Sequence, residues 1–283
     1  MNVLEKEATK VEKNPFEIYQ TPQLQSPSLI IGWQTQDVGK LGSKVIHFLN
    51  EKLGGQEIGE MKPLGFFPFG GVRFKDDLVQ VPGSKFWACE KYNLLILISD
   101  EPVFEHYQFL NLVLDFAEFH CHAKELYTVS GAVSYVAHTN PRRILTVFNQ
   151  PELKTRLEGY DDLQEMTWEG PPAISSYLLW VAGKRGISGM SLWTEIPFYL
   201  ATREDPQAIK LTLSFLNRRF DLGLDLGEFD LEIKYQNEKI AELRKEDAEI
   251  NNYISLLETG QRLDEEGQLK LAREVYRLFE KRS

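Results

Sequence analysis

Residues 93–99 read Asn-Leu-Leu-Ile-Leu-Ile-Ser, which is the clearest strand signal in the chain. Its five consecutive aliphatic side chains leave no polar face, so the segment predicts a strand that is buried on both sides of a sheet. Asp100-Glu101-Pro102 follows directly, and apolar residues then recur at helical spacing from residue 105 to about 120. The stretch therefore predicts a strand, a loop and a helix, which is the repeating unit of an α/β protein.

The same unit is found on both sides of this segment. Upstream, residues 28–33 are a short apolar run that is stopped by a glycine, and helical spacing follows over residues 39–53. Downstream, residues 125–130 run into Gly131, and residues 189–195 predict a last strand. The other predicted elements are strands at 56–61, 85–89 and 143–148, a hairpin at 72–81, and helices at 151–158, 172–185 and 205–220.

The alternation of strands and helices predicts a largely parallel sheet with helices on both faces. An antiparallel hairpin is expected between about residues 72 and 90. We expect residues 28–230 to form this α/β domain. Residues 1–27 are polar, have no sustained periodicity and predict an N-terminal extension, whereas the highly charged residues 231–283 predict a helical C-terminal arm.

Within the arm, apolar residues repeat at spacings of three and four, which predicts one face of a long helix over residues 231–257. The residues assigned to this seam are Ile240, Leu243, Ile250, Ile254 and Leu257. A second helix is expected from residue 264 to about 281. The seam could pack back on the α/β domain or pair with a second copy of the chain, and we favour a homo-oligomer.

Composition limits the classes of partner. The 283 residues carry 42 acidic and 32 basic side chains, and the resulting charge of −10 disfavours nucleic acid and anionic lipid. The apolar runs fall far short of the roughly 20 residues that cross a bilayer, so no membrane span is expected. Only two cysteines and an N-terminus without the apolar core of a secretion signal predict a cytoplasmic protein.

Candidate ligand-binding residues come from the loops that follow the predicted strands. The carboxyl ends of parallel strands lie at one edge of the sheet, which is where α/β proteins bind ligands. This placement selects Gly32, Gly39, Asp100, Glu101, Gly131 and Glu195. The carboxylates could serve as a general base, and the loop at residues 32–39 precedes a helix N-terminus that favours an anion. A tight turn and helix-capping carboxylates are the structural alternatives.

Common catalytic and metal motifs do not fit the chain. The loop at residues 32–39 has neither the glycine spacing of a dinucleotide-binding loop nor the hydroxyl residue of a P-loop. His120-Cys121-His122 has the wrong spacing for a zinc site. Ser134 and His138 lack the context of a hydrolase nucleophile. We therefore predict no metal and no cofactor, and we name no catalytic residue.

Six segments occur in an order that is itself informative. They are LIIGWQTQDVGKLGSKVIHFLNEKLGGQEIGEM at 29–61, FFP at 66–68, NLLILISDEP at 93–102, LVLDFA at 112–117, LYTVSGAV at 126–133 and GISGMSLWTEIPFYLATREDPQAIKLTLSFLNRRFDLGLDL at 186–226. Together they resemble the proteasome assembly chaperone 2 family over about residues 28–230. The resemblance implies a three-layer α/β/α sandwich similar to phosphorylase/hydrolase-like folds. It also implies a relation to chaperones that help to assemble proteasome core particles, and to archaeal relatives that oligomerise.

Two parts of the chain depart from the family pattern. The first loop of the family usually reads Gly-x-Pro-Gly-x-Gly-x-x-Gly, whereas the bulkier Gln34-Thr35-Gln36-Asp37 stands here. The chain ends in Lys281-Arg282-Ser283 and not in the hydrophobic-Tyr-x tripeptide by which related chaperones dock to proteasomes. The interpretation we favour is a non-enzymatic, self-associating interaction scaffold with an assembly-chaperone-like role. The alternative is an enzyme or binding protein for a small anionic or nucleotide-like ligand at the sheet edge.

Overall fold

The computed structural model of the chain describes residues 14–63, 65–68, 73–75, 78–167 and 173–280. The strands are β1 (Phe16–Ile18), β2 (Ser28–Trp33), β3 (Gln56–Met61), β4 (Arg73–Lys75), β5 (Leu78–Gln80), β6 (Ser84–Cys89), β7 (Leu94–Ser99), β8 (Glu125–Ser134), β9 (Ile144–Phe148), β10 (Leu163–Glu165) and β11 (Ser188–Pro197). The helices are α1 (Leu41–Lys52), α2 (His106–Asp115), α3 (Pro151–Arg156), α4 (Ile174–Lys184), α5 (Pro206–Phe220), α6 (Glu228–Glu246), α7 (Ala248–Glu258) and α8 (Glu265–Glu280).

Nine of the strands form one sheet in the order β1-β3-β6-β7-β2-β8-β11-β9-β10. The four central strands β7, β2, β8 and β11 run parallel to one another, as the alternation of strands and helices predicts. On the flanks, β6, β3 and β1 pair antiparallel, and β9 lies antiparallel to β11. The sheet is therefore mixed and not largely parallel. On the β6 side the cause is the single turn Glu90–Tyr92, because it reverses the chain before β7 and is too short for a crossover.

Helices cover both faces of this sheet through two buried clusters. Alternate side chains of β7 enter different clusters: Ile96 joins the cluster that holds residues of α1 and α5, whereas Leu95 and Leu97 join the cluster that holds residues of α2 and α4. Every residue of β7 is buried. The fold is thus an α/β/α sandwich built around a strand that meets hydrocarbon on both sides, which confirms the predicted fold class.

The N-terminal extension contributes an edge strand to the sheet. β1 pairs antiparallel with β3, and the Phe16 ring is buried with its centre 5.4 Å from that of Phe116. Part of the extension predicted over residues 1–27 therefore belongs to the core. Residues 1–13 lie outside the described residues.

The predicted hairpin between residues 72 and 81 is present as β4 paired antiparallel with β5 in a sheet of its own. The following strand, β6, does not extend this hairpin but joins the nine-stranded sheet. Val72, Asp76 and Asp77 lie outside the described residues, as do the start of the helix predicted at 172 and the C-terminal tripeptide at 281–283.

The C-terminal arm consists of three helices and not of the two that the sequence predicts. α6 and α7 replace the continuous helix expected over residues 231–257, because the backbone leaves the helical path at Asp247. The carboxylate of Asp247 then accepts hydrogen bonds from the N–H groups of Glu249 at 2.9 Å and Ile250 at 3.1 Å. These bonds satisfy two of the N–H groups that a new helix leaves unpaired, so Asp247 is the N-cap of α7.

The apolar seam of the arm lies against the core of its own chain. Ile240, Ile250, Ile254 and Leu257 are fully buried in the cluster that includes residues of α1 and α5, and Leu243 is half-buried against it. The structure corresponds to the alternative in which the seam packs back, so these five side chains are not presented to a second copy. The arm and the α/β domain share one core across the boundary predicted at residue 230. Within the described ranges, no helix combines the length and apolarity that a bilayer span requires.

The double-sided burial of β7 leads to a test of stability. Ile96→Ala is expected to lower the free energy of unfolding by about 2 to 5 kcal/mol, because it leaves a cavity in a packed core. Leu269→Ala is the matched control, since Leu269 is 73% exposed on α8, and it is expected to change stability by less than about 0.5 kcal/mol. Denaturant unfolding measures both values, and equal losses for the two variants would contradict the central position of β7.

Candidate functional site

A cavity of about 620 Å³ lies at the carboxyl ends of the central parallel strands. This is the edge at which α/β folds bind ligands, because the strand ends leave a crevice between the flanking helices. Its walls come from the end of β2 and the loop after it, the loop after β7, the start of α2, internal residues of β8 and β11, and the start of α4. The lining residues are Trp33, Thr35, Gln36, Asp37, Val38, Glu101, His106, Val129, Ser130, Gly131, Ala173, Ile174, Ser175, Tyr177 and Trp193.

The N-terminus of α1 is occupied by a side chain of the protein itself. The Asp37 carboxylate accepts hydrogen bonds from the backbone N–H groups of Gly42 and Ser43, each at 2.8 Å. A phosphate bound at a helix N-terminus would use the same kind of N–H groups. Burial raises the pKa of Asp37, and the bonds from these N–H groups act against that rise. Asp37 thus caps α1 and also lines the cavity. A nucleotide-binding loop would instead leave such backbone N–H groups free to donate to phosphate.

Glu101 is a second acid in the same wall. It is the second residue after β7. Its backbone N–H donates to the hydroxyl of Thr35 at 2.7 Å, which connects the loop after β7 to the loop after β2. Burial raises the pKa of the Glu101 carboxyl to about 7, and the negative charge of Asp37 adds to the shift. Near neutral pH this carboxyl can therefore exchange a proton.

Aromatic side chains and hydroxyl groups form the rest of the wall. The indole N–H of Trp33 donates to the Ser175 hydroxyl at 2.9 Å, and the Ser130 hydroxyl lies 3.4 Å from that of Ser175. The indole Nε1 of Trp193 is buried and has no hydrogen-bond partner among the described residues. Tyr177 completes the aromatic wall on the α4 side. The site thus combines planar apolar side chains with hydroxyl groups.

Two of the six residues predicted from the sequence line this cavity, namely Glu101 and Gly131. Gly131 is an internal residue of β8 and does not lie in a loop, because β8 continues to Ser134. Gly32 and Gly39 serve packing and turn geometry. A Cβ atom at Gly32 would lie 2.3 Å from Ile46 of α1, so glycine lets the strand and helix approach closely, and Gly39 has a φ of +66°.

The other two predicted acids point elsewhere. Asp100 is 5% exposed and accepts a hydrogen bond from the N–H of Gly83 at 3.3 Å, away from the cavity wall. Glu195 is 3% exposed and accepts hydrogen bonds from the Arg143 guanidinium at 2.6 and 2.7 Å and from the Ser134 hydroxyl at 3.0 Å. The Arg143 cation neutralises Glu195, which leaves this carboxylate a structural role.

The aromatic residues of the cavity wall were not predicted from the sequence. Trp33 is the last residue of β2, and Trp193 stands in β11 beside Ser130 of β8. The position of Trp33 at the carboxyl end of a parallel strand is a signal that could have identified it. Trp193 lies in the second half of β11, so its signal is weaker. Ser175 and Tyr177 offer no comparable signal, since they reach the cavity only because α4 packs beside α2.

Groups suited to nucleophilic or metal chemistry are used structurally. The hydroxyl of Tyr199 lies 3.0 Å from Nδ1 of His138, and burial lowers the pKa of this histidine to about 4. Cys89 and Cys121 are free and buried, and burial raises the pKa of both thiols. In the described part of the chain, no three His, Cys, Asp or Glu side chains are grouped as metal ligands would be.

Comparison with known proteins gives a family match and a set of similar folds. The model of the PAC2 family matches residues 29–244. No curated protein sequence matches this chain. Among solved structures, a protein of unknown function from Corynebacterium glutamicum is 19% identical with a TM-score of 0.73, and the match covers 87% of this chain and 96% of the other.

Two further structures similar to this chain are of proteins whose names refer to the proteasome. One is an archaeal proteasome activator from Pyrococcus furiosus, with 21% identity, a TM-score of 0.67, and coverage of 81% of this chain and 98% of the other. The second is a proteasome-assembly chaperone homologue from Mycobacterium tuberculosis, with 17% identity, a TM-score of 0.69, and coverage of 80% and 99%. At these identities the likeness demonstrates a common fold.

The acid in the cavity wall predicts a pH effect on stability. The pKa of Glu101 rises from its ordinary 4.5 to about 7 on folding, so the folded chain holds this proton more tightly than the unfolded chain does. The stabilisation is complete below the unfolded pKa and is lost as the pH rises through the folded pKa. Denaturant unfolding should show that the wild type loses more stability than Glu101→Gln between about pH 5 and about pH 8. Equal losses would contradict the assignment.

Proposed function

We propose that this chain, which belongs to the PAC2 family, acts as an assembly-chaperone-like protein that binds other proteins and is not an enzyme. Its structural relatives include an archaeal proteasome activator and a proteasome-assembly chaperone homologue, so two proteins of this fold are connected by name with one protein assembly. We extend this connection to the present chain. We place the action in the cytoplasm, because two free, buried cysteines suit a reducing compartment.

The observation that carries the proposal is an exposed aromatic surface on the layer formed by α2 and α4. Tyr107 and Trp180 are 55% and 53% exposed. The ring of Tyr177 lies between them, 6.2 Å from Tyr107 and 5.7 Å from Trp180. We call these three residues the aromatic stripe. Val103 and Phe104, just before α2, are also exposed. Contiguous exposed aromatic side chains are typical of protein interfaces.

We propose that the first occupant of the aromatic stripe is a second copy of the chain. Glu105 and Lys184 are exposed at the opposite ends of the α2–α4 layer. α2 follows β7 and α4 precedes β11, so the two helices run in the same direction. A twofold axis that lies in the contact plane and runs across the two helices would bring Lys184 of one copy towards Glu105 of the other. An isologous contact of this kind is the commonest arrangement in homodimers. Self-association through α2 and α4 replaces the buried C-terminal seam as the proposed interface.

A second candidate function is ligand binding or catalysis at the carboxyl edge of the sheet. The observation that favours it is the cavity of about 620 Å³ with Glu101 in its wall, a size within the roughly 300–1,000 Å³ of small-molecule sites. We rank it second because the imidazole of His138 and the hydroxyl of Ser134 are hydrogen-bonded to Tyr199 and Glu195, respectively, and lie outside that wall.

Self-association can be measured by light scattering. We expect a mass of at least twice the chain mass of 32.7 kDa, and Trp180→Ala should shift the protein towards the monomer because it removes the largest exposed ring of the aromatic stripe. Tyr235→Ala is the control, since this aromatic residue is 49% exposed on α6, in the opposite helical layer. A mass of 32.7 kDa at every concentration would contradict self-association.

The chaperone role needs a separate experiment. The purified chain is added to unassembled proteasome subunits of its source organism, and the rate of core-particle formation is followed by native mass spectrometry. We expect faster assembly with the wild type and a smaller gain with Trp180→Ala, because the variant lacks the proposed contact surface. An unchanged rate, or a genome without proteasome genes, would contradict the chaperone role and leave self-association standing.

A further inference from the structure

The cavity at the carboxyl edge has an acidic wall. The titratable side chains among its described lining residues are Asp37, Glu101, His106 and Tyr177, and neither lysine nor arginine is among them. Both acids are at least half-buried and lie close enough for the charge of Asp37 to affect Glu101. The field inside such a cavity favours a positive group and repels phosphate or carboxylate.

The other walls suit a cation that has an apolar body. Trp33, Trp193 and Tyr177 present aromatic rings to the cavity, and indole and phenol faces attract ammonium groups, more strongly where water is excluded. The cavity volume of about 620 Å³ accommodates more than a simple ion. The acidic side chains and the aromatic side chains of the wall therefore both favour an organic cation.

We propose that this cavity binds an organic ammonium ion with an apolar body, and not the anionic or nucleotide-like ligand expected from the sequence. The ammonium group pairs with Glu101, and the apolar body lies against the aromatic lining residues. The same chemistry occurs in a free amine and in the lysine side chain of a protein. The proposal goes beyond the protein-binding role and does not depend on self-association.

The proposal implies that affinity depends on pH. Because the pKa of Glu101 is about 7, its carboxylate forms as the pH rises from about 6 to about 8, whereas an aliphatic ammonium group keeps its charge over that interval. The other ionisable groups that face the ligand are Asp37, His106 and Tyr177.

The test uses three ligands of one shape and different charge, namely tyramine, 4-ethylphenol and 4-hydroxyphenylacetate, each titrated into the full chain by calorimetry. At about pH 8, we expect tyramine to bind at least about tenfold more tightly than neutral 4-ethylphenol, and the anionic compound to bind most weakly. The affinity for tyramine should fall severalfold at about pH 6. Nα-acetyl-lysine methylamide is titrated in parallel, and tighter binding of this compound than of tyramine would identify a protein side chain as the source.

Two variants assign the effect to the cavity. Glu101→Gln should lower the affinity for tyramine at least about fivefold at pH 8 and remove the pH dependence of that affinity, while leaving the affinity for 4-ethylphenol unchanged. Trp193→Ala removes an aromatic lining residue, and it should lower the affinity for tyramine as well. Glu152→Gln is the matched control, because Glu152 is exposed on α3 and lies outside the wall. Circular dichroism confirms that each variant is folded.

Three outcomes would overturn the proposal. The first is preferential binding of 4-hydroxyphenylacetate, which would mean that the cavity selects an anion. The second is the absence of saturable tyramine binding at millimolar concentration. The third is tyramine binding that Glu101→Gln leaves unchanged in the folded variant and that does not vary with pH in the wild type, since the ammonium group would then lie elsewhere.

Discussion

Burial of β7 on both faces is the constraint on which the rest of the structure depends. Its side chains alternate between two hydrophobic clusters, so each face of the strand requires a layer of helices to exclude water. Of its two neighbours in the sheet, β2 runs parallel to β7 and β6 runs antiparallel to it. The connection from β7 to the parallel strand β8 passes through α2, which covers one of the two faces. The C-terminal helices complete the cover of one face, and β1 extends one edge.

The same constraint creates the cavity. Parallel strands end at one edge, and the loops that leave them must satisfy their own polar groups. At the loop after β2, Asp37 does this by capping α1. The cap removes the donors that would hold phosphate and leaves a negative charge in the wall beside Glu101. One local capping choice therefore reverses the charge of the ligand that this edge can accept.

The two helical layers have different surfaces. On the side of α1 and α5, the C-terminal arm covers the α/β domain with buried aliphatic residues such as Ile240 and Leu257. The apolar surface of the arm is therefore buried within the chain. On the side of α2 and α4, the helices bury one face and leave aromatic rings exposed on the other. Tyr177 belongs to both the aromatic stripe and the cavity wall, so the proposed protein contact and the proposed ligand site adjoin.

The sequence alone determined the elements whose signal is local. The apolar run of β7, the helical spacing that follows it and the helix predicted over residues 205–220 each depend on residues close in the chain, and the structure contains them. The sequence also predicted Glu101 and Gly131 in the cavity wall, because strand ends in a parallel sheet share an edge. Only the tertiary structure decided the antiparallel flanks, the break at Asp247, the pairing of Glu195 with Arg143 and the meeting of Trp33 with Ser175. These features depend on which distant side chains become neighbours when the layers pack, and hydrophobic periodicity fixes the buried face of an element without fixing the residue opposite it.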